Sequence, residues 1–330
     1  DKNLITIDKS LMFLSICAKL NVTKGVNMIQ VKMLKKAMTG NFIVPAFNIA
    51  NFEILKGLIL ATIETKSPMI LQVSESAMNY FADDIMLGIV AGLRKMKLPI
   101  SIHLDHGHTF DVVKRAIKLG FDSVMIDGST LPYKENVRLT KKVVNYAHSK
   151  NVSVEGELGV LAVANDEGVL SDGERFTSPE QAKEFVALTG VDSLAVSIGT
   201  NHGINKYIGE PKIRYDILRK IEKKLPNTPI VLHGASLVEK KYVDKINANG
   251  GNITKSIGNE NLLKNAYKTH ISKINMDTDF RLAYTAAVRE YMHTHPEKYS
   301  PRDYGQAGVE EVKNCAIDRI VKICRSNNKM

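Results

Sequence analysis

Three histidines lie far apart in the chain, each where a short apolar run gives way to glycine-containing sequence. They are His106 in "ISIHLDHGH", His202 in "SIGTNHG" and His233 in "VLHGAS". Three converging imidazoles leave a divalent metal one coordination position for water or substrate, which is the pattern of a catalytic zinc site. Taken singly, each is as readily a hydrogen-bonded polar residue, so the metal reading depends on their meeting. Asp105 directly precedes His106. A carboxylate beside a cation stays ionised and can exchange a proton with a substrate hydroxyl, or else it orients an imidazole. Strict strand alternation puts His103 and Asp105 on one face and His106 on the other, unless the strand ends between them. His103 then reads as a core or supporting histidine and His108 as a loop residue.

The glycines beside these histidines add a second kind of chemistry. Gly203 follows His202, and Gly234 and Ser236 follow His233. Glycine-rich turns leading into helix N-termini present backbone N–H groups suited to a phosphate. "NMDTD" supplies Asn275, Asp277, Thr278 and Asp279, whose amide and hydroxyl groups can bind a phosphoryl or hydroxyl group.

The elements that must position these residues are legible as eight β-rich runs: "IVPAF" (43–47), "MILQV" (69–73), "ISIHL" (100–104), "SVMI" (123–126), "VSVEGE" (152–157), "SLAVS" (193–197), "IVL" (230–232) and "ISKIN" (271–275). Amphipathic stretches such as "NFEILKGLILATIET" and "TFDVVKRAIKLG" separate them, with apolar residues every three or four positions. Strands alternating with helices pair in parallel, because a parallel connection needs a crossover. Eight such units predict an α/β fold, a single (β/α)8 TIM barrel. A doubly wound open sheet would carry a glycine-rich fingerprint after its first strand, and "PAFNIANFE" has none. In a barrel the chemistry sits at the carboxyl ends of the strands. Every predicted strand end carries a polar group there, from Asn48, Gln72 and Ser74 through Asp127, Glu155 and Glu157. Residues 1–27 read as an N-terminal extension, and residues 28–330 as the barrel domain with a C-terminal helical tail.

Composition limits the alternatives. The 330 residues are 44% hydrophobic, enough for a sizeable core, and no apolar run approaches the length of a membrane span. The net charge of +10 comes from lysines scattered over helix faces, as in "LRKIEKK", with no basic arm of the kind nucleic-acid modules use. Such a field draws in phosphorylated metabolites. Cys17, Cys315 and Cys324 follow no framework spacing, which predicts reduced thiols and a cytoplasmic setting.

The motifs "VPAFN", "HLDHG", "MIDGS", "VEGELG", "SIGTNHG", "VLHGAS" and "KINMDTDFRLA" occur in one order from about Met28 to about Gly305. In this the chain closely resembles the class II, zinc-dependent fructose-1,6-bisphosphate aldolases. The resemblance implies a lyase of glycolysis and gluconeogenesis. It would reversibly cleave fructose 1,6-bisphosphate to dihydroxyacetone phosphate and glyceraldehyde 3-phosphate through a metal-stabilised enediolate. It further implies that His106, His202 and His233 hold catalytic Zn2+, with Asp127 and Glu157 offering the metal an alternative resting place. Asp105 would exchange the C4 hydroxyl proton, and Asn275 would hydrogen-bond the enediolate oxygens. Asn48, Ser74, Gly203, Lys206, Gly234, Ser236, Asp277 and Thr278 would bind the substrate and its near phosphate, beside which many members place a monovalent cation, Na+ or K+. Asp166 or Glu167, in the loop "LAVANDEGVLSDGERFT", would shuttle the C1 proton. Arg281 and Arg302 would grip the distal phosphate, one of them from a neighbouring subunit of a homodimer or homotetramer. No nucleic-acid or membrane partner is implied.

The chain departs from the family's usual residues at Ser300, Asn201 and Leu237, where Asp, Ser and Ser are common. Ser300 bears on the distal phosphate and the sugar epimer, so a tagatose-bisphosphate or other ketose-phosphate aldolase is the alternative substrate reading. A barrel metal hydrolase would instead ligate metal through the His106–His108 pair. A catalytically dead paralogue would lack one of the expected metal or proton-transfer residues, and none is missing.

Overall fold

The computed structural model describes residues 28–159, 176–200, 213–254 and 260–330. Its eight strands close into one parallel barrel in sequence order: β1 Val44–Asn48, β2 Met69–Ser74, β3 Ile100–Gly107, β4 Ser123–Ile126, β5 Ser153–Leu158, β6 Ser193–Val196, β7 Ile230–Leu232 and β8 Ile271–Met276. Closure is made by β8 against β1, pairing Val44 with Lys273 and Ala46 with Asn275. The eight predicted strands are all present. The main difference is β3, which runs three residues past the predicted Leu104, so that His106 lies within the strand rather than after it.

Among the described residues, α1 Ile29–Gly40 lies across the barrel floor, and the outer layer comprises α2 Phe52–Thr65, α3 Glu75–Phe81, α4 Asp83–Met96, α5 Phe110–Lys118, α6 Tyr133–His148, α7 Pro179–Thr189, α8 Tyr215–Lys224, α9 Lys240–Ala248 and α10 Thr278–Thr294. The C-terminal tail is α11 Pro301–Asp318, continued by a π-helical turn over Arg319–Cys324. Local signals set several helix starts. Asn51 Oδ1 accepts from Ile54 N at 2.8 Å, Thr109 Oγ1 from Val112 N at 3.2 Å, and Ser178 precedes Pro179 at the first position of α7. None of the described helices is long and apolar enough to cross a membrane.

Strand parity separates two environments. Phe47, Leu71, Leu104, Val124, Val154 and Ile274 point outward into the apolar layer beneath the helices. Their neighbours Asn48, Gln72, His103, Asp105, Glu155, Lys273 and Asn275 point into the lumen, and all are buried. The floor is closed by α1, which packs Met33, Leu34 and Ala37 against Phe42, Val44, Ala46 and Ile70. The N-terminal extension, residues 1–27, lies outside the described residues.

Candidate active site

Register brings the polar lumen residues to one end. β2 pairs with β3 so that Gln72 lies beside His103 and Ser74 beside Asp105. Plain alternation would turn His106 away from Asp105, but the backbone breaks the pattern. The β3–β4 register shifts between Leu104 and Gly107, and His106 takes φ +48°. That left-handed conformation costs a non-glycine residue about 1 kcal/mol or more. Gly107 permits the close approach, since a Cβ there would stand 2.7 Å from Met125 O. Both Asp105 and His106 therefore face the mouth.

The two described histidines of the expected triad meet. His106 Nε2 and His233 Nδ1 are 3.1 Å apart, with the rings perpendicular. The outer nitrogen of each ring meets a carboxylate: His106 Nδ1 is 2.9 Å from Asp127 Oδ2, and His233 Nε2 is 2.8 Å from Glu155 Oε1. Tetrahedral ligand nitrogens at 2.0–2.1 Å from zinc lie about 3.3 Å apart, so the inner nitrogens are spaced as two ligands of one ion. Asp105, His106 and His233 form one potential metal group, and His106, Asp127 and Glu157 a second, each with its ligand atoms within 4.8 Å of one another. Glu157 Oε2 is buried without a hydrogen-bond partner, 3.8 Å from His106 Nδ1. An orphaned buried carboxylate oxygen is costly, and a cation beside it removes that cost. The donor set and this orphaned oxygen both fit a divalent metal.

The electrostatics follow from crowding these groups into a buried space. Burial opposes charge on His106, yet the Asp105 carboxylate and the contact to Asp127 outweigh it and raise its pKa to about 9. Burial, and then the Asp127 charge, push Glu157 well above the ordinary carboxylate range. Asp127 is held low against the cost of burial by His106 and by Ser129, whose N–H and hydroxyl both donate to Oδ1. Burial also works to raise Asp105, and the imidazoles of His106 and His233 more than offset it. Asn48 Nδ2 donates to Asp105 Oδ2 at 2.7 Å and Asn275 Nδ2 to Oδ1 at 3.4 Å, so both oxygens are held.

A proton count tests this arrangement. With its pKa raised to about 9, His106 is expected to be protonated in metal-free protein at pH 7.5, and metal binding must displace that proton. Calorimetric titration with zinc in buffers of different protonation enthalpy is expected to show release of at least one proton per metal. The release should shrink as pH passes about 9. No release at pH 7.5 would contradict the raised pKa. Because that pKa is raised, the His106 charge stabilises the metal-free fold fully below about 6.5, and this contribution is lost as pH rises through about 9.

Above these groups opens a cleft of about 520 Å³. It is lined by the expected Asn48, Ser74, Asp105, His106, Gly234, Ser236, Asn275, Asp277, Thr278 and Arg281. Gly234 has φ +64°, and Ser236 Oγ accepts from Asp277 N at 3.1 Å, which ties the turn after β7 to the start of α10. Arg281 Nε donates to Asp277 Oδ1 at 2.8 Å. Arg302, in the first turn of α11, does not line this cleft. His108 lines a neighbouring hollow and belongs to neither metal group found among the described residues. Asp166, Glu167, His202, Gly203 and Lys206 lie outside the described residues.

Ser76, Thr285 and Lys273 are not among the residues the sequence singles out. Ser76 and Thr285 also line the cleft. Beneath it, Lys273 and Glu155 form a buried ion pair at 2.7 Å, with His103 Nε2 at 3.2 Å from the ammonium. The available signal is a lysine in the middle of the strand "ISKIN", between Ser272 and Ile274.

Comparison with known proteins agrees with this geometry. The family model described as "Fructose-bisphosphate aldolase class-II" matches residues 29–329, past Gly305, where the motif resemblance loosens, and on through the C-terminal tail. A fructose-bisphosphate aldolase of Treponema pallidum (strain Nichols) is 42% identical over 312 residues, covering 88% of this chain and 94% of its own. One from Giardia intestinalis is 44% identical over 294 residues, covering 88% and 90%. The crystal structure of the YdjI aldolase from Escherichia coli K12 superposes with a TM-score of 0.73 at 29% identity, over 91% of this chain and 98% of that one. The chain belongs to the class-II fructose-bisphosphate aldolase family.

Proposed function

We propose that this protein reversibly cleaves fructose 1,6-bisphosphate into dihydroxyacetone phosphate and glyceraldehyde 3-phosphate, with Zn2+ held by His106, His202 and His233. The observation that carries the reading is the pair of inward imidazole nitrogens, 3.1 Å apart, beside a buried carboxylate at the mouth of a class II family barrel. When bound, such a metal polarises the substrate ketone and stabilises the negative charge that develops beside it.

The chain's own groups supply the rest. Asp105 takes the C4 hydroxyl proton as the C3–C4 bond breaks and returns it during condensation. Amides of Asn48 and Asn275 on its two oxygens fix it for that transfer. Asn275 Oδ1 is buried and has no hydrogen-bond partner, so it is left to accept from a hydroxyl of the dihydroxyacetone phosphate half. Gly234, Ser236, Asp277 and Thr278, with Asn48, Ser74, Gly203 and Lys206, bind the substrate and its near phosphate, beside which a monovalent cation sits. Arg281 meets the distal phosphate through the planar, bidentate contact guanidinium favours. Arg302 does so from a neighbouring subunit of a cytoplasmic homo-oligomer. Asp127 and Glu157 give the metal a second resting position, and Asp166 or Glu167 carries the C1 proton.

Ser300, immediately before Pro301 and Arg302, stands where the family commonly has Asp and bears on the choice between the fructose and tagatose epimers. Parallel assays of both bisphosphates decide this. The expected result is a kcat/KM at least tenfold higher for fructose 1,6-bisphosphate, and a preference for tagatose 1,6-bisphosphate would overturn the substrate assignment.

A further inference from the structure

Below the cleft a chain of buried polar groups crosses the lumen to the barrel floor. Glu155 divides its two oxygens: Oε1 lies 2.8 Å from His233 Nε2, and Oε2 accepts from Lys273 Nζ at 2.7 Å. The side chains of Glu155, Lys273, His233 and His103 have no exposed surface. Lys273 also stands 3.2 Å from His103 Nε2, and His103 Nδ1 lies 3.4 Å from the Gln30 amide of α1, which in turn accepts from Ser101 Oγ at 2.9 Å. Isolated buried ion pairs contribute little net stability, because desolvation offsets their attraction. A pair kept in the lumen, one bond from a metal-ligand candidate, calls for another purpose.

We infer that Lys273 and Glu155 form a positioning pair for the metal centre. Lys273 fixes the plane of the Glu155 carboxylate, and Glu155, closer to His233 Nε2 than the Asn275 amide at 3.1 Å, fixes the ring with its proton on Nε2, leaving Nδ1 facing His106 for the metal. Carboxylates behind ligating histidines commonly set ring orientation, and their loss costs about 10- to 100-fold in metal affinity. The inference rests on His233 being a ligand.

Cobalt(II) binding to the full-length protein, measured by competition with a chelator, tests it alongside thermal unfolding of the metal-free form. Lys273→Met and Glu155→Gln each strand a buried charge and are expected to lower both stability and cobalt affinity. The double variant K273M/E155Q strands none. It is expected to unfold near the parent's temperature yet bind cobalt about tenfold or more weakly, with an altered visible spectrum. A merely structural pair would restore both, so a double variant binding cobalt as tightly as the parent overturns the inference. A measurement on the parent alone is independent of how the variants fold. Nitrogen-15 NMR of the metal-loaded protein is expected to show His233 protonated at Nε2, and protonation at Nδ1 overturns the inference. His233→Ala separates the two claims. If it binds cobalt like the parent, the ligand assignment itself fails. If it loses cobalt while the double variant keeps it, only the positioning role fails.

Discussion

Asp105→Ala is expected to bind metal like the parent and to cleave fructose 1,6-bisphosphate at least about 10²-fold more slowly. A positioned acid–base group contributes about 10² to 10⁴ in rate. The structure gives reason to expect the full effect here. Asp105 is buried, with amide donors on both oxygens that hold it as the acceptor. Alanine removes the acceptor and leaves the rings facing each other, because His106 is held from behind by Asp127 and His233 by Glu155. Asp105→Asn should lose nearly as much, since it keeps the shape and lacks the base. Steady-state kinetics with metal analysis on the same preparation checks this. A variant within about tenfold of the parent would make Asp105 an orienting residue and remove it from proton transfer.

Stripping the protein with a chelator is expected to abolish cleavage, by about 10³-fold or more, with zinc restoring it. A Lewis acid contributes several kcal/mol to a developing negative charge, and each 1.36 kcal/mol is tenfold in rate. The described strand ends offer no substitute. Lys273, the one lysine in the lumen among the described residues, is fully buried and paired with Glu155, so it cannot reach a ketone to form a Schiff base. The barrel itself should survive stripping. It is closed by parallel pairing and by apolar packing between the sheet and its helices, with α1 sealing the floor. Circular dichroism should therefore change little while activity disappears. Retained turnover in chelated protein, with a lysine adduct trapped by borohydride, would contradict metal-dependent chemistry.

These residues also show how far sequence alone reaches. Continuous apolar runs such as "SVMI" and "IVL" mark strands to the residue, because a parallel strand buried on both faces leaves little freedom in composition. The same alternation misdirects at His106. A left-handed residue and a register shift resolve the conflict with Asp105, and neither is written in "HLDHG" except as the glycine that allows them. His106 and His233 were recognisable because strand order fixes where strand ends meet. The Glu155–Lys273 pair was not, because a lysine in a strand ordinarily signals a solvent face, and only barrel closure against β1 turns it inward. Arg302 marks another limit, since its place at the start of α11 does not bring it to the cleft of its own chain.

The most direct test of the shared metal centre is an anomalous difference map at the zinc edge from zinc-loaded crystals. The expected result is a strong peak about 2.0–2.1 Å from His106 Nε2, His233 Nδ1 and a nitrogen of His202. A strong peak elsewhere, with His106 and His233 sharing no ion, would contradict it.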